Sequence, residues 1–134
     1  MTKIVLDTNI VLDLFVFKDP ATFALHAALE SGTHQWIATQ PMRDELERVL
    51  AYPQIAPRLA FYGLTANDIL ASFDQCTQLE PVAPKASVTC KDVDDQKFID
   101  FAVQQRAILL SKDRAVLCMA KRLLALGVFV HVAL

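Results

Sequence analysis

The chain has 134 residues, 54% of them hydrophobic and 21% charged, with a formal net charge of −2. That length suits a single core, so one domain over residues 1–134 is expected, and the apolar fraction excludes intrinsic disorder. The slightly acidic balance excludes a protein that grips nucleic acid through bulk charge, which leaves a local basic patch or a bound cation.

The chain opens MTKIVLDTN. An acidic residue at position 7 does not suit a signal peptide, and no run approaches the ~18 apolar residues of a membrane span, so a soluble cytoplasmic protein is expected. KIVL (3–6) is the first of four short apolar runs, followed by QWIAT (35–39), AILLS (107–111) and VFVHV (128–132). Their hydrophobicity is nearly continuous instead of alternating, as in strands buried on both faces of a parallel sheet. Helical patterns separate them at 41–52, 65–76, 95–106 and 114–126, and further helix-like stretches end at Gly32 and Gly63. Gly127 closes the 114–126 pattern. With all three glycines serving as helix stops, none remains for a phosphate-cradling loop. Pro20 and Pro41 suit first-turn positions, and Thr65 with Asp68 suits a capping box. Alternating strands and helices predict an α/β fold, a three-layer α/β/α sandwich around a mostly parallel sheet of four to five strands. Residues 79–95 form the one long irregular connection. Cys76, Cys90 and Cys118 make no metal-binding spacing and are expected to be small buried hydrophobes.

Asp7 ends the first strand and Asp113 follows the AILLS strand, so a parallel sheet puts both at its carboxyl edge, where open α/β proteins hold ligands. Either could equally be a helix cap. On helix 41–52, Met42, Leu46, Val49 and Leu50 define the apolar face; Asp44, Glu47 and Arg48 lie opposite, and Glu45 lies on the border of the stripe. On helix 95–106, Asp95 projects into the face formed by Phe98, Ile99, Ala102 and Val103, whereas Asp100 projects away. Capping by one acid of the DVDD string is the plain alternative for Asp95, yet an inward carboxylate is heavily penalised unless it serves a site. Four carboxylates facing one place repel by about 4 kcal/mol per close pair at an effective dielectric of ~20. A hard divalent cation, Mg²⁺ or Mn²⁺, relieves that repulsion and can activate water for phosphodiester chemistry.

Four segments carry a family resemblance: IVLDTNIVLDL (4–14), QPMRDELERVL (40–50), KDVDDQKFIDFAV (91–103) and LLSKDRAVL (109–117). In this order and spacing the chain resembles the PIN-domain nucleases, in particular the toxin components (VapC-like) of bacterial toxin–antitoxin pairs. The resemblance implies that Asp7, Glu45, Asp95 and Asp113 form the acidic quartet for Mg²⁺- or Mn²⁺-dependent RNA cleavage, with Asp7, Asp95 and Asp113 as metal ligands. It further implies that Asn9 orients the first Asp, that Asp92 assists, and that Ser111 supplies the hydroxyl preceding the last acid. Lys112 departs from the family pattern, which often has a glycine or another small or polar residue there.

Lys112 and Arg114 flank Asp113 and, with Arg43, are candidates for RNA phosphate contacts. Trp36 reads as core. Phe15, Phe17, Phe23, Phe61 and Tyr62 are candidates for a homodimer or antitoxin patch, core packing being the alternative. The expected function is a metal-dependent endoribonuclease, a toxin restrained by a cognate antitoxin. The alternatives are a housekeeping RNA-processing nuclease and a catalytically idle RNA- or protein-binding scaffold. An Asp-nucleophile phosphatase is disfavoured, because such enzymes need a second Asp where Asn9 stands.

Overall fold

The computed structural model describes residues 2–134. Its centre is an all-parallel five-stranded sheet of β1 (Thr2–Leu6), β2 (His34–Ala38), β3 (Thr77–Leu79), β4 (Ile108–Leu110) and β5 (Val130–His131), in the order β3-β2-β1-β4-β5. Among the described residues eight α-helices flank it: α1 (Thr8–Phe15), α2 (Phe23–Glu30), α3 (Gln40–Leu50), α4 (Ala56–Phe61), α5 (Ala66–Cys76), α6 (Gln96–Gln105), α7 (Arg114–Leu117) and α8 (Ala120–Ala125). This is the expected three-layer α/β/α arrangement. No helix among the described residues is long and apolar enough to cross a membrane.

The register explains the nearly continuous apolar strands. Ile4 on β1 pairs with Trp36 on one side and Ile108 on the other. Ile4, Val5 and Leu109 are fully buried, as covering both sheet faces with helices requires. Trp36 is core, packed between Phe15 and Phe73 with ring centroids 5.8 and 5.2 Å away. The Thr65 cap forms as read: Asp68 N–H donates to Thr65 Oγ1 and Thr65 N–H to an Asp68 carboxylate oxygen.

Several local expectations change. β3 is a fifth strand that the apolar pattern does not reveal, because its residues TQL lie at the sheet edge, half-buried to exposed. The 114–126 pattern is two short helices, α7 and α8, separated at Cys118–Met119. Val116, Met119 and Leu123 all stay buried across the break, so the apolar periodicity continues although the helix does not. Asp100 is not a solvent-face residue. It accepts the Ala86 N–H at 2.9 Å and the Gln96 amide at 2.7 Å. Gln96 in turn donates to Val88 O and accepts the Cys90 N–H, so α6 fastens the long irregular connection. Of the cysteines only Cys90 is buried; Cys76 and Cys118 are exposed free thiols.

The strand order decides where a site can form. From β1 the chain runs outward through β2 and β3, then returns to β4 on the opposite side of β1. Helical connections therefore diverge at the carboxyl ends of β1 and β4, and the crevice between them is the switch point of the sheet.

Candidate metal centre

Asp7 follows the last residue of β1, and its backbone N–H extends the ladder to Leu110 O at 2.9 Å. It stands at the N-cap of α1, yet its carboxylate makes no capping bond. Its Oδ2 instead accepts a 2.6 Å hydrogen bond from the Ser111 hydroxyl, which is fully buried. Ser111 Oγ also accepts the Asp113 N–H at 3.0 Å. One hydroxyl thus ties the carboxylate at the end of β1 to the backbone of the acid that follows β4.

Asp113 is the N-cap of α7, where its Oδ1 accepts the Ala115 N–H at 2.9 Å. Asp95 closes the 3₁₀ turn Val93–Asp95 just before α6. The cap of that turn is Asp92, whose side chain accepts the Asp94 N–H at 2.9 Å; Asp95 makes no side-chain capping bond. Asp95 is 7% exposed, and its buried Oδ2 has no hydrogen-bond partner.

These three carboxylates converge. Asp7, Asp95 and Asp113 each offer an oxygen, and the three oxygens lie within 4.8 Å of one another. Burial raises the Asp7 carboxyl above its ordinary pKa, with the Ser111 hydrogen bond opposing that rise. Asp95 is pushed up to about 8, first by burial, then by the negative charge of Asp7 and by a hydrogen bond with Asp113. Without a cation the cluster therefore holds a proton at neutral pH, the usual solution for carboxylates that cannot all ionise side by side. An unpartnered buried carboxylate oxygen and a donor set made only of oxygens fit a hard divalent cation such as Mg²⁺ or Mn²⁺.

A family model for the PIN domain matches residues 3–115, most of the chain and all three of these acids. The chain belongs to the PIN-domain family. It has no detectable relative among curated proteins. PIN domains are typically metal-dependent nucleases, and in this one the acidic cluster sits at the switch point of the sheet.

The other residues named from sequence fall around that cluster in different ways. Glu45 of α3 is not part of the converging set. One of its oxygens accepts the Thr8 hydroxyl and the other accepts Lys97 Nζ at 2.6 Å. Asn9, the second residue of α1, is exposed and makes no hydrogen bond to Asp7 among the described residues; the hydroxyl that bonds the Asp7 carboxylate is that of Ser111. Asp92 is exposed and committed to its cap, so it joins the PIN-domain site only as a nearby negative charge.

Two of the three proposed phosphate contacts are already engaged. Arg43 makes a double hydrogen bond to Asp74 of α5, at 2.7 and 2.9 Å, which staples α3 to α5. Lys112 pairs at 2.5 Å with Asp13, a largely buried acid on α1. Arg114, the residue after Asp113, remains exposed and, with Lys91, lines an open groove along α7. Of the aromatic candidates, Phe23, Phe61 and Tyr62 are exposed, at 63%, 81% and 45%, whereas Phe15 and Phe17 pack against the core.

Sequence reasoning missed Thr8 and Lys97. Thr8 adjoins Asp7 and reads as a helix-start residue. A lysine two positions after Asp95 reads as a solvated side chain, and only its partner on α3 gives it a role.

Proposed function

We propose that this PIN domain is a metal-dependent endoribonuclease and the toxin of a toxin–antitoxin pair. The observation that carries the nuclease reading is the convergence of Asp7, Asp95 and Asp113, with one buried oxygen left unpartnered. RNA as substrate and the toxin role rest on the resemblance of the four motif segments to that group of nucleases. Asp7, Asp95 and Asp113 would hold the Mg²⁺ or Mn²⁺. When bound, the cation supplies an activated water and neutralises the charge that develops on the phosphate during in-line displacement.

The chain's own groups prepare that chemistry. Ser111 fixes the Asp7 carboxylate and, through the Asp113 backbone, the spacing of two of the three acids. Burial removes competing water from Asp7 and Asp95 and strengthens every charge interaction inside the site. Glu45, held at the margin by Thr8 and Lys97, is the one acid of the quartet that stands outside the converging set. Arg114 and Lys91 supply positive charge for phosphates flanking the cleaved bond, a positioning role that carries no sequence information.

A homodimer and a cognate antitoxin are the expected partners, with exposed Phe23, Phe61 and Tyr62 as candidate contacts. An antitoxin would best silence the site by laying an Arg against Asp7 and Asp95, matching the cation's charge with a planar donor.

Incubation of the protein with labelled single-stranded RNA tests the activity. Cleavage in Mn²⁺ or Mg²⁺, lost in EDTA and lost in Asp113→Asn, is the expected result. RNA left intact with either metal, or cut equally well in EDTA, overturns the reading. Growth arrest on expression, relieved by co-expression of the neighbouring gene, tests the toxin role; unimpaired growth of cells making active enzyme would reject it.

A further inference from the structure

Glu45 is gripped on both oxygens by residues that neighbour the cluster in sequence. Thr8, next to Asp7, donates its hydroxyl to Oε2, and Lys97, two residues after Asp95, donates to Oε1 at 2.6 Å. Lys97 is also tied to the Asp94 carbonyl, and its ammonium lies 5.0 Å from the Phe98 ring centroid. Both side chains of the pair are mostly covered, with 24% of Lys97 and 16% of Glu45 exposed. Such a pair is harder to dissociate than a surface ion pair, because separating it leaves a charge with little water to receive it.

Four acids near one cation pocket would all be drawn to the ion. Three converge and the fourth does not, and the group that holds the fourth is a cation. We propose that Lys97 is a positioning residue that keeps Glu45 out of the cation's ligand set and holds its carboxylate in place beside the three aspartates. Lys97 acts through Glu45, substituting for the charge that would otherwise pull this carboxylate inward. The inference rests on the metal-dependent nuclease reading and deepens it by dividing the acids into three that bind and one that stands apart.

The test measures binding of Mn²⁺ alone, by electron paramagnetic resonance of the free ion, with RNA cleavage in parallel. Freeing Glu45 adds a negative ligand, so Lys97→Met should bind Mn²⁺ about fivefold more tightly than the parent. Its kcat should nevertheless fall, with KM little changed. Lys97→Arg, which keeps the charge and can still reach Glu45, should behave as the parent in both assays. The deciding comparison is Glu45→Gln against the double variant Lys97→Met/Glu45→Gln. If Lys97 works through Glu45, removing it in the Gln background leaves Mn²⁺ affinity unchanged.

Tightening that persists in the Gln background would mean that Lys97 merely repels cations, and the proposal would fail. It fails equally if Lys97→Met leaves Mn²⁺ binding unaltered and raises only KM, the signature of a phosphate contact. Failure of the parent itself to bind Mn²⁺ rejects the nuclease reading first, and this inference with it. A melt in EDTA confirms that each variant is folded. Lys97→Gln, which keeps a donor but no charge, replaces the Met variant if that one does not fold, with the same outcomes required.

Discussion

Replacing Asp95 by Asn probes the apo site through its dependence on pH. The oxygens of Asp7, Asp95 and Asp113 lie within 4.8 Å of one another, so each ionised pair repels by about 3.5 kcal/mol at an effective dielectric of ~20. The metal-free protein avoids much of this by keeping Asp95 protonated up to about pH 8. A carboxyl whose folded pKa is raised contributes stability that is complete below its unfolded value, 3.8, and is lost as pH rises to about 8. At about 1.4 kcal/mol per pH unit the ceiling over that window is about 6 kcal/mol, and because the proton is shared among three interacting acids the expected difference for Asp95 alone is about 1–2 kcal/mol. Asn does not titrate and keeps nearly the same shape. In EDTA, urea unfolding should therefore show Asp95→Asn equal to the parent near pH 4, more stable by about 1–2 kcal/mol at pH 8, and level beyond. Exposed Asp94→Asn, in the same turn, is the control and should show no such divergence. A stability difference that stays flat from pH 4 to pH 9 would refute the reasoning, as would an Asn variant less stable throughout.

Millimolar Mn²⁺ should raise the parent's melting temperature by several degrees and move Asp95→Asn much less, because cation binding to the folded state alone stabilises it; equal shifts in a thermal melt would contradict shared ligation. Ser111→Ala removes the hydroxyl between Asp7 and the Asp113 backbone, so Mn²⁺ affinity measured by titration should fall about tenfold or more. Unaltered affinity would show that Ser111 does not position Asp7. Arg114→Ala should raise KM for RNA and flatten its salt dependence, whereas Arg43→Ala should leave KM alone and cost about 1 kcal/mol of stability through the lost Asp74 staple. An Arg43→Ala variant with weakened RNA binding would return that arginine to the phosphate path.

The sequence made the architecture and much of the acid cluster legible for identifiable reasons. Strands buried on both faces advertise themselves as short apolar runs, and Asp7 and Asp113 are placed by the chain positions that end two of them. Asp95 could be read from helical geometry because an acid in the middle of an apolar face has few purposes. What escaped depended on partners distant in sequence. Arg43 and Lys112 look like free cations until folding brings Asp74 and Asp13 to them. Lys97 looks solvated until α3 presents Glu45, 52 residues away. Asn9 and Ser111 each stand close to an acid in the chain, but only the fold shows that the orienting hydroxyl comes from the β4 side. The edge strand β3 escaped because its short, half-polar run packs too little apolar surface to leave a pattern.

Anomalous diffraction from crystals soaked in Mn²⁺ tests the central claim most directly. The structure predicts a peak in contact with carboxylate oxygens of Asp7, Asp95 and Asp113 together. Saturated crystals with no peak there, or with Mn²⁺ held elsewhere while these three acids remain empty, would contradict the assignment of this cluster as the metal centre.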